Sequence, residues 1–481
     1  MARKTTYARK SSTGRSKAQT VALAGVVALC LACGVAQAAT DGGVTSLGEL
    51  FAIAHDSEPG YRAAKANLDA SRARTRQALG AMLPQLSATA TANGNRRHYD
   101  TLDRFTKTER DRYHSNTDQL SLTQPLWHAA NLASLNEAKE AARQTEYQLE
   151  DAEQQLYQKL ASAWFDLMEA RDEVLFTTAQ RDALHAQWDI ARRGAELGAQ
   201  GDPQAEDAYA KYQEAAADET SAELDQASKL AALEQWVGPA EDLQQPYLND
   251  QADLPDLLGD DLDAWLAQID THSPALRAAM HAIAAANEEV SKERAGHQPT
   301  LDLVASYGNN DQNAGNFPGQ AGYRIRTLTV GLQLNVPLYS GGTQSAKVAE
   351  ALALRDKAHD DMEAARRLAI VNVKTAFLAW RAGLAKARAA RAAETSAERA
   401  LALAERGSAR GLKTEADVLT ARQQMAAARR DMHKGRYQQL TAFIKLKTTL
   451  GELTATDIDE LDQYFVSSPH EASLSKEHAK S

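Results

Sequence analysis

The chain has 481 residues, a formal net charge of −10 and two cysteines, Cys30 and Cys33. An acidic balance argues against nucleic acid as a partner, since phosphate binding needs a basic face. Both cysteines lie in the N-terminal 38 residues, so a chain cleaved there has no disulfide framework and no thiolate metal ligands.

Residues 1–20 hold six basic side chains (Arg3, Lys4, Arg9, Lys10, Arg15, Lys17) and no acidic one. The apolar run "VALAGVVALCLACGVAQA" at 21–38 follows and ends Ala36-Gln37-Ala38. A basic region, an apolar core and an A-x-A end describe a secretory signal peptide, 1–38. The rival reading is a retained inner-membrane anchor, and no second apolar run follows to support it. Lipoprotein processing at Cys33 is disfavoured, because "CLAC" lacks the expected apolar residue three positions earlier. Cleavage after Ala38 removes both cysteines and six positive charges, leaving a thiol-free chain of net charge −16. Such a chain suits an oxidising periplasm. No later stretch has 18 or more apolar residues, so no transmembrane helix is expected beyond the signal; a β-barrel would give little hydropathy signal.

What remains is a duplication. "SEPGYRAA" at Ser57 answers "HSPALRAA" at His272, with Pro59 and Pro274 separated by 215. "LPQLSATA" answers "QPTLDLVA", and Pro84 and Pro299 are again 215 apart. "QLSLTQPLW" and "VGLQLNVPLY" carry Pro125 and Pro337, 212 apart. Gly201 answers Gly411 at an offset of 210, and Gly238 answers Gly451 at 213. These anchors divide the chain into repeat one (39–262), repeat two (263–465) and a polar, disordered tail (466–481).

Within each repeat, strands come first. At 326–336, Leu328, Val330, Leu332, Leu334 and Val336 alternate with Thr, Gly, Gln and Asn. That period of two predicts a barrel strand with one lipid face and one wet face. Residues 300–307 are its expected partner. The polar links 308–322 and 94–112 are expected as cell-surface loops. The corresponding strands of repeat one, around Leu86–Ala90 and Leu120–Leu122, are weaker alone and gain support from the duplication. Pro125 and Pro337 are expected to end the strands, because proline cannot donate to the ladder. Long helices follow, as proline is absent from 126–202 and from 338–468. Their apolar residues fall at coiled-coil-like spacing, as in Ile370, Val373, Phe377, Trp380 and Leu384. Each arm meets a glycine-bearing break near Gly201 or Gly411 and turns back, so each repeat carries a long helical hairpin. Trp164, Phe165, Phe377 and Trp380 are expected to be packing aromatics. His98, His114 and His128 lack metal-ligand spacing, and no G-x-S-x-G, H-E-x-x-H or G-x-x-x-x-G-K motif appears. No enzyme, metal or cofactor is expected.

"LPQLSATA", "QPTLDLVASYG", "VPLYSGG" and "RGLKTEADVLTAR" together resemble the TolC family of outer-membrane efflux and type I secretion channels. The resemblance covers about residues 47–465. It implies a mainly α protein with membrane β-structure, a TolC-like trimer whose protomers give four strands each to one barrel. The barrel would continue as a long periplasmic α-helical barrel, reflecting the internal duplication. It also implies passive passage of exported molecules across the outer membrane, with the chain extending into the periplasm. Implied partners are two further copies of the chain, outer-membrane lipid, a periplasmic adaptor and an inner-membrane transporter, ABC or proton-driven. In such channels, acids and a basic residue at the hairpin turns form the periplasmic constriction. The matching residues are Asp417, Lys413, Asp207 and Glu206, with Asp207 set opposite Asp417 by the glycines. Gly201, Gly411 and Leu412 form the turns at which an adaptor would dock. The same residues have a second reading as helix caps, Thr414 to Asp417 being a capping box and Asp202-Pro203 an N-cap followed by proline at the first helical position. Repeat one departs from the pattern at Asp202-Pro203, at Ala208 and at His128-Ala129-Ala130. The rival function is a periplasmic coiled-coil adaptor or scaffold of a transport complex, which would need neither two tandem hairpins nor a two-faced strand.

Overall fold

The computed structural model describes residues 46–99, 109–197, 202–239, 243, 245–249, 261–315 and 321–466, all within one compact unit, Val44–Ser481. The expected signal peptide, Gly201 and the tail beyond Val466 lie outside the described residues.

The duplication expected from prolines and glycines is realised element by element. Repeat one runs α1 (Leu47–Ser57), α2 (Pro59–Gly80), β1 (Gln85–Tyr99), β2 (Glu109–Trp127), α3 (Ala129–Glu196) and α4 (Asp202–Val237). A short β3 (Tyr247–Leu248) follows. Repeat two runs α5 (Leu262–His272), α6 (Pro274–Ala295), β4 (Thr300–Gln312), β5 (Tyr323–Asn335), α7 (Thr343–Ser408) and α8 (Glu415–Leu450), then α9 (Ala455–Asp462) and β6 (Phe465–Val466). Pro59 and Pro274 open α2 and α6 at the first turn, where a missing N–H costs nothing. α3 and α7 have 68 and 66 residues, about 100 Å each at 1.5 Å per residue. α4 and α8 have 36 residues each. The repeat boundary at 262/263 falls one residue inside α5. Val466, placed in the tail by sequence, pairs with Tyr247 and so belongs to the fold.

The four long strands form one antiparallel sheet in the order β1-β2-β4-β5. Two strand expectations need correction. β2 does not end at Pro125: Pro125 stands opposite Asp302, and an irregularity between Pro125 and Trp127 carries the strand past it. A bulge absorbs the missing donor and keeps the ladder going. β5 does stop before its proline, at Asn335. The expected loops are also too long. β1 reaches Tyr99 and β4 reaches Gln312, because polar residues still alternate usefully when one face is wet. Residues 100–108 and 316–320 lie outside the described residues.

The helices form two tiers around α3 and α7. In the tier next to the sheet, α2 packs on α3, α3 on α6 and α6 on α7; in the far tier the order is α4, α3, α8, α7. Arg277 donates to the Tyr147 hydroxyl at 2.6 Å, and Lys292 pairs with Glu137 at 3.1 Å, across α6 and α3. The principal core sits partway along the hairpins. Trp164, Phe165 and Met168 of α3 join Val373, Phe377 and Trp380 of α7 and Tyr437, Leu440 and Phe443 of α8. The four expected packing aromatics are at most 2% exposed. α1 adds Leu47, Leu50, Phe51 and Ala54, an i, i+3, i+4, i+7 stripe opened by a Ser46–Glu49 capping box. Among the described helices, α7 alone is long and apolar enough to cross a membrane by composition. Its alanines instead allow close packing on α6 and α8.

Candidate functional site

The strand register sorts the sheet into two unlike faces. Leu86 pairs with Leu122 and Ala88 with Leu120 across β1 and β2. Leu301 pairs with Leu334, Leu303 with Leu332, Ala305 with Val330 and Tyr307 with Leu328 across β4 and β5. Paired residues share a face, so the half of this side nearer the helices is apolar, while further along the strands the same side carries Asp118, Asn116, His114, Asp311 and Arg324. The apolar half has no cover: Leu328 and Leu332 are 71% and 67% exposed. The other face carries Thr89 opposite Gln119, Thr117 opposite Asn310 and Ser306 opposite Thr329. Apolar outside and polar inside is the alternation of a membrane barrel wall around water.

The sheet is open. β1 and β5 each have one unpaired edge among the described residues. The helical tiers stop at the same elements, with α2 or α4 at one side and α7 at the other. The joint between the repeats, β2 on β4, is made once within the chain. Its counterpart, β5 on β1, is not made.

At the strand exits, His128 Nε2 lies 2.9 Å from Asp302 Oδ1, pinning the start of α3 to β4. In repeat two the exit is made by Gly341 and Gly342, with φ of +64° and +83°. Glycine enters that left-handed region at little cost.

The tip of the second hairpin is a tight reversal. Gly411 has φ +71°, and the Leu412 N–H donates to the Gly407 carbonyl at 2.8 Å. Leu412 is 78% exposed. The Lys413 side-chain stem lies against Gly407. Asp417 closes a capping box: its Oδ2 accepts from Thr414 N and from Thr414 Oγ1, both at 2.8 Å, and its own N–H donates to Thr414 Oγ1 at 3.2 Å. The backbone and side-chain hydrogen bonds from Thr414, with the charge of Lys413, hold its carboxyl below the usual range. Asp417 is therefore a helix cap that stays ionised at the exposed tip. Beneath it Val418, Ala421 and Ala404 form a small apolar clasp.

At the first tip, Gly201 lies outside the described residues. Asp207 pairs with Lys211, one turn on, at 2.7 Å, so the structure does not bring it to Lys413 within the chain. Glu206 is exposed beside it. α4 starts at Asp202, so Pro203 takes its second position and not its first. The glycine-based match between the tips also shifts. α4 and α8 are equally long, and aligning them end to end sets Asp207 opposite Thr420 and Gln204 opposite Asp417.

Two features escape sequence reasoning. Between α3 and α4 near the first tip, the Trp188 and Tyr212 rings stack at 5.6 Å, with His185 and Tyr209 against them. The i, i+3 spacing of His185 and Trp188, and of Tyr209 and Tyr212, was a usable signal. The second is a buried ionic knot joining α3 to α8. Asp172 accepts from Arg171 at 2.7 Å and from the Tyr437 hydroxyl at 3.1 Å, and lies 2.8 Å from His433 Nδ1. Nothing in the sequence pairs residues 261 positions apart.

A family model described as "Outer membrane efflux protein" matches residues 52–239 and 265–452, one match per repeat. The chain is 30% identical to the proteases secretion protein PrtF of Dickeya chrysanthemi over 92% of its own length and 95% of the relative's. It is 28% identical to the alkaline protease secretion protein AprF of Pseudomonas aeruginosa, covering 87% and 86%. The fold matches the CmeC outer membrane channel of Campylobacter jejuni with a TM-score of 0.71 at 16% identity, covering 87% of this chain and 90% of that one.

Proposed function

Since the chain belongs to the outer membrane efflux protein family, a family of transport channels and not of enzymes, we propose that three copies close one barrel and one helical tunnel. The chain is an outer-membrane channel of efflux or type I secretion machinery, with a periplasmic extension, and that role implies adaptor and inner-membrane partners.

The observation that supports closure by further copies is the set of open edges in the sheet and in both helical tiers; the number three is the one the family resemblance implies. An unpaired strand edge cannot face lipid. Four strands are too few to enclose an aqueous lumen. Repeating the β2–β4 joint between copies removes every edge, and cyclic symmetry makes all such joints alike. Twelve strands then surround a lumen lined by Thr, Ser, Asn and Gln.

The tips close the tunnel at its periplasmic end. Each Asp417 becomes one of three, a ring that concentrates cations. Lys413 of one copy reaches Asp207 or Glu206 on the adjoining hairpin of the next. Asp207 must then leave Lys211, an exchange between exposed pairs worth about 0–1 kcal/mol each. Such a balance is easily tipped by an adaptor docking at the turns of Gly201, Gly411 and Leu412. Two relatives named for protease secretion favour an exported protein as cargo.

The test is electrophysiological. Protein extracted from the outer membrane should run as a heat-sensitive trimer and give unitary conductance steps in planar bilayers. Lys413→Glu should raise that conductance. A monomer without conductance would overturn the trimer, and an unchanged Lys413→Glu channel would place the constriction elsewhere.

A further inference from the structure

α3 and α7 correspond at an offset of 213 residues: buried Leu160, Trp164 and Leu167 match buried Val373, Phe377 and Trp380. α4 and α8 keep the same offset, from Asp202 and Glu415 to Val237 and Leu450. The joint of α3 with α8, made inside the chain, therefore has a counterpart in α7 and α4, which stand at opposite ends of the far tier.

Two large side chains change state under this match. Phe165 and Tyr437 stack across the inner joint with ring centroids 6.3 Å apart, each 1% exposed. Their counterparts, Leu378 and Leu224, are 59% and 67% exposed. One exposed leucine needs no explanation. Two that form the halves of one contact do: each lacks the helix that covers its counterpart.

The charges change as well. The inner joint holds Glu169–Lys434 at 2.6 Å, Glu173–Arg430 at 3.3 Å and Asp172–His433 at 2.8 Å. The offset replaces these pairs by Ala382 and Ser221, Lys386 and Ala217, and Ala385 and Thr220, with Lys386 the one charged residue among them. Around this seam the two helices carry opposite charge. From 371 to 393, α7 has five basic side chains, Lys374, Arg381, Lys386, Arg388 and Arg391, and no acidic one. From 212 to 228, α4 has five acidic ones, Glu214, Asp218, Glu219, Glu223 and Asp225, and no basic one. Glu219 is paired with Arg181 of α3; the others are exposed.

We propose that Leu378 of one copy packs on Leu224 of the next, antiparallel and in the register of Phe165 and Tyr437, with the basic border of α7 along the acidic border of α4. That register sets Arg388 level with Glu214, since each lies ten residues from its leucine, in opposite directions. Apolar seams bordered by charge are how coiled coils set partner and orientation. An unrelated acidic partner would match α7 and leave Leu224 bare. A second copy covers both, and head-to-tail contacts of this kind close into a ring. The tunnel wall then alternates an ion-paired joint within each chain and an apolar joint between chains. The inference rests on the reading of three copies around one tunnel and identifies the surface by which their helices meet.

The test is photo-crosslinking of the full-length protein in outer membranes. p-Benzoylphenylalanine in place of Leu378 should label α4 of the next copy within about one turn of Leu224, between 220 and 228, and give dimer and trimer bands on a denaturing gel. The same probe in place of Leu224, should the first fail to assemble, should label 374–382. Leu378→Glu should speed heat dissociation of the trimer at least about tenfold, as a charge buried without a partner must, and Leu224→Lys added to it should restore most of the parent's lifetime. Label confined to the probe's own chain, label outside these turns, or no rescue by the second substitution would overturn this joint even in a heat-sensitive, conducting trimer. A monomer would overturn the trimer reading and the joint with it.

Discussion

Asp172→Ala should loosen the junction where α3, α8 and the β3 segment meet. Asp172 is 8% exposed, and its partners are Arg171, His433 and Tyr437. Arg171 spans the junction: it also donates to the Pro246 carbonyl and lies over the Tyr247 ring at 4.2 Å. Removing the carboxylate leaves that guanidinium buried without a counter-charge, a loss of about 3–5 kcal/mol. Burial alone would raise the Asp172 carboxyl, but the His433 hydrogen bond and the Arg171 charge outweigh it and hold it below the usual range. A depressed carboxyl stabilises the fold above its unfolded pKa and loses that contribution as pH falls through the folded value. The full effect is thus present at neutral pH and shrinks only in acid. Native-state hydrogen exchange reads the local opening. The amides of Leu248 and Asn249, which tie this segment to β6 and Tyr464, should exchange at least about 100-fold faster in the variant, as ~3 kcal/mol implies. A change below threefold would refute the view that this knot holds the segment.

Three further outcomes follow from the same geometry. Leu332→Arg places a charge on the apolar face, at a cost of about 2–4 kcal/mol near the bilayer midplane, and should abolish the heat-sensitive trimer, whereas Gln333→Arg on the other face should assemble and shift ion selectivity. Gly411→Val forces a branched side chain into φ +71°, a strain of roughly 1–2 kcal/mol, and should speed amide exchange at 409–413 without disturbing the sheet. Asp417→Ala should weaken block by trivalent cations added from the periplasmic side. Because the Thr414 hydrogen bonds lower the Asp417 carboxyl, the parent should keep that block through the ordinary carboxylate range and lose it only at lower pH.

The parts of this fold legible in the sequence are those written in local chemistry. Proline and glycine positions place the ends of α2, α6, α7 and α8, because those residues act through their own backbone. The alternation at Leu328–Leu334 marks β5 because one face must be apolar and the other wet. β1 is harder to see, since its apolar face is mostly alanine and its wet face threonine, a small contrast, and only the duplication identifies it. The bulge at Pro125 was hidden because its accommodation depends on Asp302, far away in the chain. At the tip, the Thr414–Asp417 cap is local and readable. The pairing of Asp207 with Lys211 is equally local, an i, i+4 pair of opposite charge. The knot at Asp172 is a tertiary fact that requires the packing register of α3 and α8.

Closure of the barrel by a second copy can be measured directly with cysteines. The β2–β4 register pairs Thr117 with Asn310. Carried over by the repeat offsets of 212 and 215, it sets Thr329 of one copy opposite Asn95 of the next. With Cys30 and Cys33 replaced by serine, Thr329→Cys combined with Asn95→Cys should, on oxidation in outer membranes, give a covalent ladder that ends at the trimer. Cysteines at Asn93 or Arg97 in place of Asn95 would reveal a register slip of two. No cross-link at any of the three positions, or a ladder ending at any other number, would contradict closure of one barrel by three chains.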